Sequence, residues 1–170
     1  MFSPTREVSS LSRRGGSDRP AAMSQPEPAP AGSFDPATML TQARMGHHVA
    51  LGLRYIAHGE DWCEGALDYD RRLVSDPVSG ILASGPIVSM MDTLATMAVW
   101  IKRGARGPMA TLDLRVDYLR PAKPGETVIG RAECYRLTRR IAFIRGVAHD
   151  GDSNDPVAHV AGTFMLGDRA

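Results

Sequence analysis

The sequence predicts an α+β fold in which one antiparallel β-sheet covers one buried helix, and three observations predict it. Residues 86–100 are apolar on nearly every side of a helix, through Ile87, Val88, Met90, Met91, Leu94, Ala95, Met97, Ala98, Val99 and Trp100. Beyond that run the apolar period switches to two, in four successive stretches of alternating residues. Short turn-rich segments separate those stretches, so neighbouring strands join as hairpins. A sheet of this kind has one apolar face, and the apolar helix is the element available to cover it.

Taken in order, residues 1–33 are rich in Ser, Pro, Gly, Arg and Ala without apolar periodicity, and are expected to be disordered. Residues 34–170 then form one domain. Residues 34–50 carry Phe34, Ala37, Met39, Leu40, Ala43 and Val49 after an Asp35-Pro36 start, which predicts a short amphipathic helix. His47 and His48 lie at its end. With no carboxylate at ligand spacing, they read as surface or dimer-contact residues. Residues 56–73 mix Trp62, Cys63, Ala66, Leu67 and Tyr69 with charges, as one or two strands ending at the loop Ser75-Asp76-Pro77. Gly80, Ser84 and Gly85 precede the central helix, with Pro86 suited to its first position because a missing N–H costs nothing there. A basic connection follows at 102–108. Strands are expected at 112–118, 127–137, 141–149 and 157–166, as a four-strand meander.

The chemistry concentrates on the helix. Asp92 is the only charged residue in the run 86–100, and taking a carboxylate out of water costs several kcal/mol unless it is paired, protonated or used. Ser89, Asp92 and Thr96, spaced i, i+3 and i+7, share one helix face and read as the lining of a small polar crevice. An apolar setting raises a carboxylate's pKa and improves it as a base. The amides of the helix start have no intrahelical partner and carry the positive end of its dipole, so a developing anion suits them. The plainer alternatives stand beside this. Gly85 and Pro86 serve equally as helix punctuation, and Asp92 as a core aspartate held by hydroxyls.

Composition narrows the classes further. A formal net charge of +1 excludes a strong electrostatic hold on nucleic acid or anionic membrane. Cys63 and Cys134 lack metal-ligand spacing, and no metal or cofactor motif occurs. The chain has neither a Gly-x-Ser-x-Gly elbow nor a phosphate-binding glycine loop. With no apolar signal core or membrane-length run, a cytoplasmic location is expected.

Two stretches carry a family resemblance. Residues 81–93, Ile-Leu-Ala-Ser-Gly-Pro-Ile-Val-Ser-Met-Met-Asp-Thr, and residues 111–126, Thr-Leu-Asp-Leu-Arg-Val-Asp-Tyr-Leu-Arg-Pro-Ala-Lys-Pro-Gly-Glu, together resemble the hotdog-fold thioesterases of the PaaI type. The resemblance implies a long antiparallel sheet wrapped around a central helix and hydrolysis of an acyl-CoA thioester. It also implies a homodimer built by sheet extension, or a homotetramer as a dimer of dimers, with sites shared between subunits. Asp92 matches the family's acidic residue, a general base or nucleophile. Gly85 matches the second glycine of a His-Gly-Gly motif, so amides of Ser84 or Gly85 would polarise the carbonyl oxygen. Thr111 matches the hydroxyl residue that positions water. The acyl group would lie beside the helix, along Ser89 and Thr96, and the coenzyme A phosphates would meet Arg120, Lys123, Arg139 and Arg140. Ala83 and Ser84 replace the motif's histidine and first glycine. That departure makes an acyl-CoA-binding or regulatory protein without turnover the alternative.

Overall fold

A computed structural model of the chain describes residues 34–42 and 46–167. The tail expected to be disordered, residues 1–33, lies outside the described residues. Asp35 opens the first helix, α1 (Pro36–Gln42), its carboxylate accepting from the Ala37 amide at 2.9 Å and the Thr38 hydroxyl at 2.5 Å. The helix expected over 34–50 does not continue. Gly46 has φ 113, a left-handed-region backbone that ends any helical path, and a separate turn, α2 (His47–Ala50), follows it.

The hairpin β1 (Leu53–His58) and β2 (Trp62–Leu67) leads through a 3-10 turn at Arg71–Leu73 to the central helix α3 (Ser84–Arg103). The helix begins two residues before Pro86, with Ala83 as N-cap, and stops where Gly104 turns left-handed at φ 68. Four strands complete the chain: β3 (Met109–Tyr118), β4 (Val128–Leu137), β5 (Ile141–His149) and β6 (Ala158–Leu166).

All six strands form one antiparallel sheet in the order β1-β2-β4-β5-β6-β3. The expected meander holds for β4, β5 and β6, but β3 crosses over to pair with β6 and becomes an edge. Its connection to β4 contains Pro121 and Pro124, which cannot donate to a ladder and do not make a tight hairpin. With β3 placed elsewhere, β4 pairs with β2.

Helix α3 packs on β2, β4 and β5, where Leu67, Met90, Met91, Leu94 and Met97 are fully buried. Burying each such side chain is worth about 1.5–3 kcal/mol relative to exposure. At the closest approach the sheet carries glycines. A Cβ on Gly130 or Gly146 would lie 2.7 Å from Met91, so glycine there lets the helix sit down on the strands.

Candidate active site

The candidate site is built by a helix face and an edge strand. Asp92 is half-buried on α3, and the Thr111 hydroxyl of β3 donates to its Oδ1 at 3.0 Å. Simple alternation would put Thr111 on the wet face with Asp113 and Arg115. A β-bulge changes this: Thr111 pairs with Phe164 and Asp113 with Thr163, leaving Leu112 as the extra residue. The inserted residue shifts parity, so Thr111 shares the inner face with Leu114 and Val116. Beside the bulge Gly162 faces Leu114, and a Cβ there would lie 2.5 Å from the Asp113 carbonyl oxygen. Asp92 is therefore half-buried against the edge strand, with Thr111 as its hydrogen-bond partner.

At the other end of the same face lies the helix start. Ser84 and Gly85 are exposed, and nothing stands within 4 Å of where a Gly85 Cβ would be. The segment before them is pinned by its own hydrogen bonds, Ser75 N to Ile81 O at 2.9 Å and Ala83 N to Leu73 O at 2.9 Å. Asp76 spends its carboxylate on the loop amides of Val78 and Ser79. The Tyr118 hydroxyl donates to Ser84 O at 2.9 Å, tying the edge strand to the first turn. Burial pushes the Tyr118 pKa up, which keeps this donor protonated.

Ser89 and Thr96 are half-buried on the Asp92 face. Sequence reasoning missed the partner of Ser89. His47 of α2 brings Nε2 to 3.0 Å from Ser89 Oγ, across 42 positions that carry no spacing signal. A histidine read as a surface or dimer-contact residue thus reaches the polar stripe.

The basic residues divide. Arg120 makes two 2.7 Å hydrogen bonds to Asp150, bonds the Asp155 carbonyl at 2.6 Å and lies 3.0 Å from the Asp155 carboxylate. Asp150 also accepts from the Lys123 amide at 2.8 Å, and its side chain is 0% exposed. The Arg120 guanidinium holds the Asp150 carboxyl well below the usual carboxylate range. Arg120 is thereby a structural clamp on the 150–155 turn, not the free phosphate contact expected of it. Lys123, Arg139 and Arg140 remain exposed. Thr111, Phe164 and Ala142 lie in one cross-strand row, so the Arg139-Arg140 turn sits at the Thr111 end of the sheet.

A groove of about 290 Å³ lined by Arg131, Glu133, Arg145, Val147 and His159 opens on the sheet face away from α3. Charged side chains alternate there with the buried Ala132 and Cys134, and Asp92 is absent from its walls. Asp92 and Thr111 lie on the helix side of the sheet. Among the described residues no cluster of His, Cys, Asp or Glu is placed to hold a metal ion, and no helix is long and apolar enough to cross a membrane.

One long helix packed on a single six-stranded antiparallel sheet is the hotdog architecture. The chain belongs to the thioesterase superfamily, whose family model matches residues 79–157, and its reaction class is thioester hydrolysis. The medium/long-chain acyl-CoA thioesterase YigI of Escherichia coli K12 is 27% identical over 131 residues, covering 69% of this chain and 83% of YigI. A Pseudomonas aeruginosa protein of known crystal structure is 37% identical, with 77% of this chain and 96% of that chain covered and a TM-score of 0.67. The Escherichia coli PaaI protein of the phenylacetic acid degradation operon is similar in fold alone. It is 16% identical with a TM-score of 0.63, over 71% of this chain and 83% of PaaI.

Proposed function

We propose that the protein hydrolyses acyl-CoA thioesters, with Asp92 as general base and amides at Ser84 and Gly85 as oxyanion donors. The observation that carries this reading is the Thr111–Asp92 hydrogen bond between the edge strand and the central helix. A hydroxyl that donates its proton to the carboxylate keeps two lone pairs free, so water can donate to Thr111 Oγ while Asp92 draws off its other proton. Water oxygen bonds to the thioester carbon, and the carbonyl oxygen becomes an oxyanion against the helix amides. Collapse breaks the carbon–sulfur bond, and coenzyme A leaves as the thiolate, which takes the proton from Asp92. Direct attack by Asp92 as nucleophile is the variant of the same chemistry. Single turnover in labelled water, followed by search for label in Asp92, separates the two.

Gly85 and Asp92 lie seven residues apart on α3, roughly 10 Å along the axis, which is too far for one chain's pair to serve one carbonyl. The site is accordingly completed by a second copy, the amides of one subunit meeting Asp92 and Thr111 of the other. The ten-residue β3 supports that assembly, since its outer edge is unpaired and it exposes Leu112 and Tyr118. A homodimer extended across β3, or a pair of such dimers, follows. Lys123, Arg139 and Arg140 are the phosphate contacts in this reading, and Ser89 and Thr96 line the acyl side. The buried free thiols of Cys63 and Cys134 fit a reducing cytoplasm.

Ala83 in the histidine position of the resembling motif favours a second reading, an acyl-CoA-binding regulatory protein without turnover. Release of free coenzyme A from short, medium, long and aryl acyl-CoA thioesters tests both. Turnover of any of them supports the enzyme. Binding of the same thioesters with no release supports the regulator.

A further inference from the structure

We propose that His47 is a positioning residue of the thioester site, acting on bound substrate through the Ser89 hydroxyl; the inference rests on the acyl-CoA thioesterase reading. A serine or threonine inside a helix commonly turns its hydroxyl back to the carbonyl four residues earlier, where no ligand meets it. Thr93 does this, donating to Ser89 O at 2.8 Å. Ser89 Oγ instead meets His47 Nε2 at 3.0 Å, a group from another element.

The place of that hydroxyl gives it a role. Ser89 lies three residues before Asp92 on α3, about 4.5 Å along the axis and on the same helix face. A thioester whose carbonyl carbon is held against Asp92 in the two-subunit site comes within one helical turn of that hydroxyl. A hydroxyl has one donor and two acceptor sites, and the contact with His47 uses one of the three. The rest remain for a polar atom of the acyl thioester.

Helix α2 is a single turn with no buried residue, set between Gly46 at φ 113 and Gly52 at φ 71. His47 is itself exposed, so core packing does not select an imidazole at this position.

Steady-state kinetics on the best acyl-CoA substrate test the proposal with wild type, Asp92→Asn, His47→Phe, His47→Gln, Ser89→Ala and the His47→Phe/Ser89→Ala double variant. One lost neutral hydrogen bond predicts a KM raised roughly tenfold in His47→Phe with kcat nearly kept. His47→Gln restores KM, because its amide reaches the place of Nε2. The double variant matches Ser89→Ala alone, since His47 acts through Ser89. A merely structural His47 would lower the active fraction, hence kcat at unchanged KM, and that result overturns the proposal, as does additivity in the double variant. Should His47→Phe fail to fold, Ser89→Ala alone decides, and an unchanged KM there overturns it. A wild type that hydrolyses no acyl-CoA overturns the functional reading and this inference with it. Turnover abolished by Asp92→Asn and untouched by His47→Phe overturns this inference alone.

Discussion

Substituting Gly162 by alanine should damage the site from the strand beside it. The added Cβ would stand 2.5 Å from the Asp113 carbonyl oxygen, a backbone atom that no rotamer change can move away. Ordinary contact begins near 3.4 Å, so β3 must retreat by about 0.9 Å or the bulge must unfold. The Thr111–Asp92 hydrogen bond is 3.0 Å long, and a retreat of that size takes it past the 3.5 Å at which such a bond ceases to count. Overpacking of this kind costs about 1–3 kcal/mol, which lowers the melting temperature by roughly 4–10 °C in a domain of this size. Activity should fall roughly tenfold in kcat/KM, the worth of one neutral hydrogen bond, and to the same level as Thr111→Ala. Thermal unfolding and coenzyme A release on the two single variants and their combination provide the assay. Unchanged turnover in Gly162→Ala, or a further tenfold loss when it is added to Thr111→Ala, would refute the link between bulge and site.

Two further outcomes follow from burial and charge. Asp150 has its pKa depressed in the fold by its hydrogen bonds from Arg120, so its contribution is fully present above the ordinary carboxylate value and is lost as pH falls toward the folded value. Wild-type melting temperature should drop on going from pH 5 to pH 3, while Asp150→Asn melts lower at pH 7 and shows a shallower acid slope; parallel slopes would contradict this. Burial pushes the Cys63 thiol up to about 12 and raises that of Cys134 as well. A thiol reagent at pH 8 should therefore label neither cysteine until denaturant is added, as mass spectrometry of the native protein would show.

The elements were legible because each has a period of its own. Residues 86–100 could only be a buried helix, and residues 141–149 and 157–166 alternate cleanly. Strand order was less legible, since alternation identifies a strand's two faces but not its neighbour, and β3 went to β6. The face of Thr111 was hidden for a related reason. A bulge at Leu112 has no composition signal, and without it Thr111 counts outward with Asp113. Charge type alone could not separate Arg120 from a phosphate ligand, because its acceptor, Asp150, is thirty residues away. His47 was illegible at any local scale, as its partner Ser89 comes only with the packing of α2 on α3.

The role of Asp92 is tested most directly by comparing coenzyme A release in wild type and Asp92→Asn, with substrate binding and melting temperature measured on the same preparations. Removing a general base typically costs about 10²–10⁴ in rate. The account predicts a loss of at least about 100-fold in kcat with binding and stability retained. Equal turnover in the two proteins would contradict it and return Asp92 to a structural role beside Thr111.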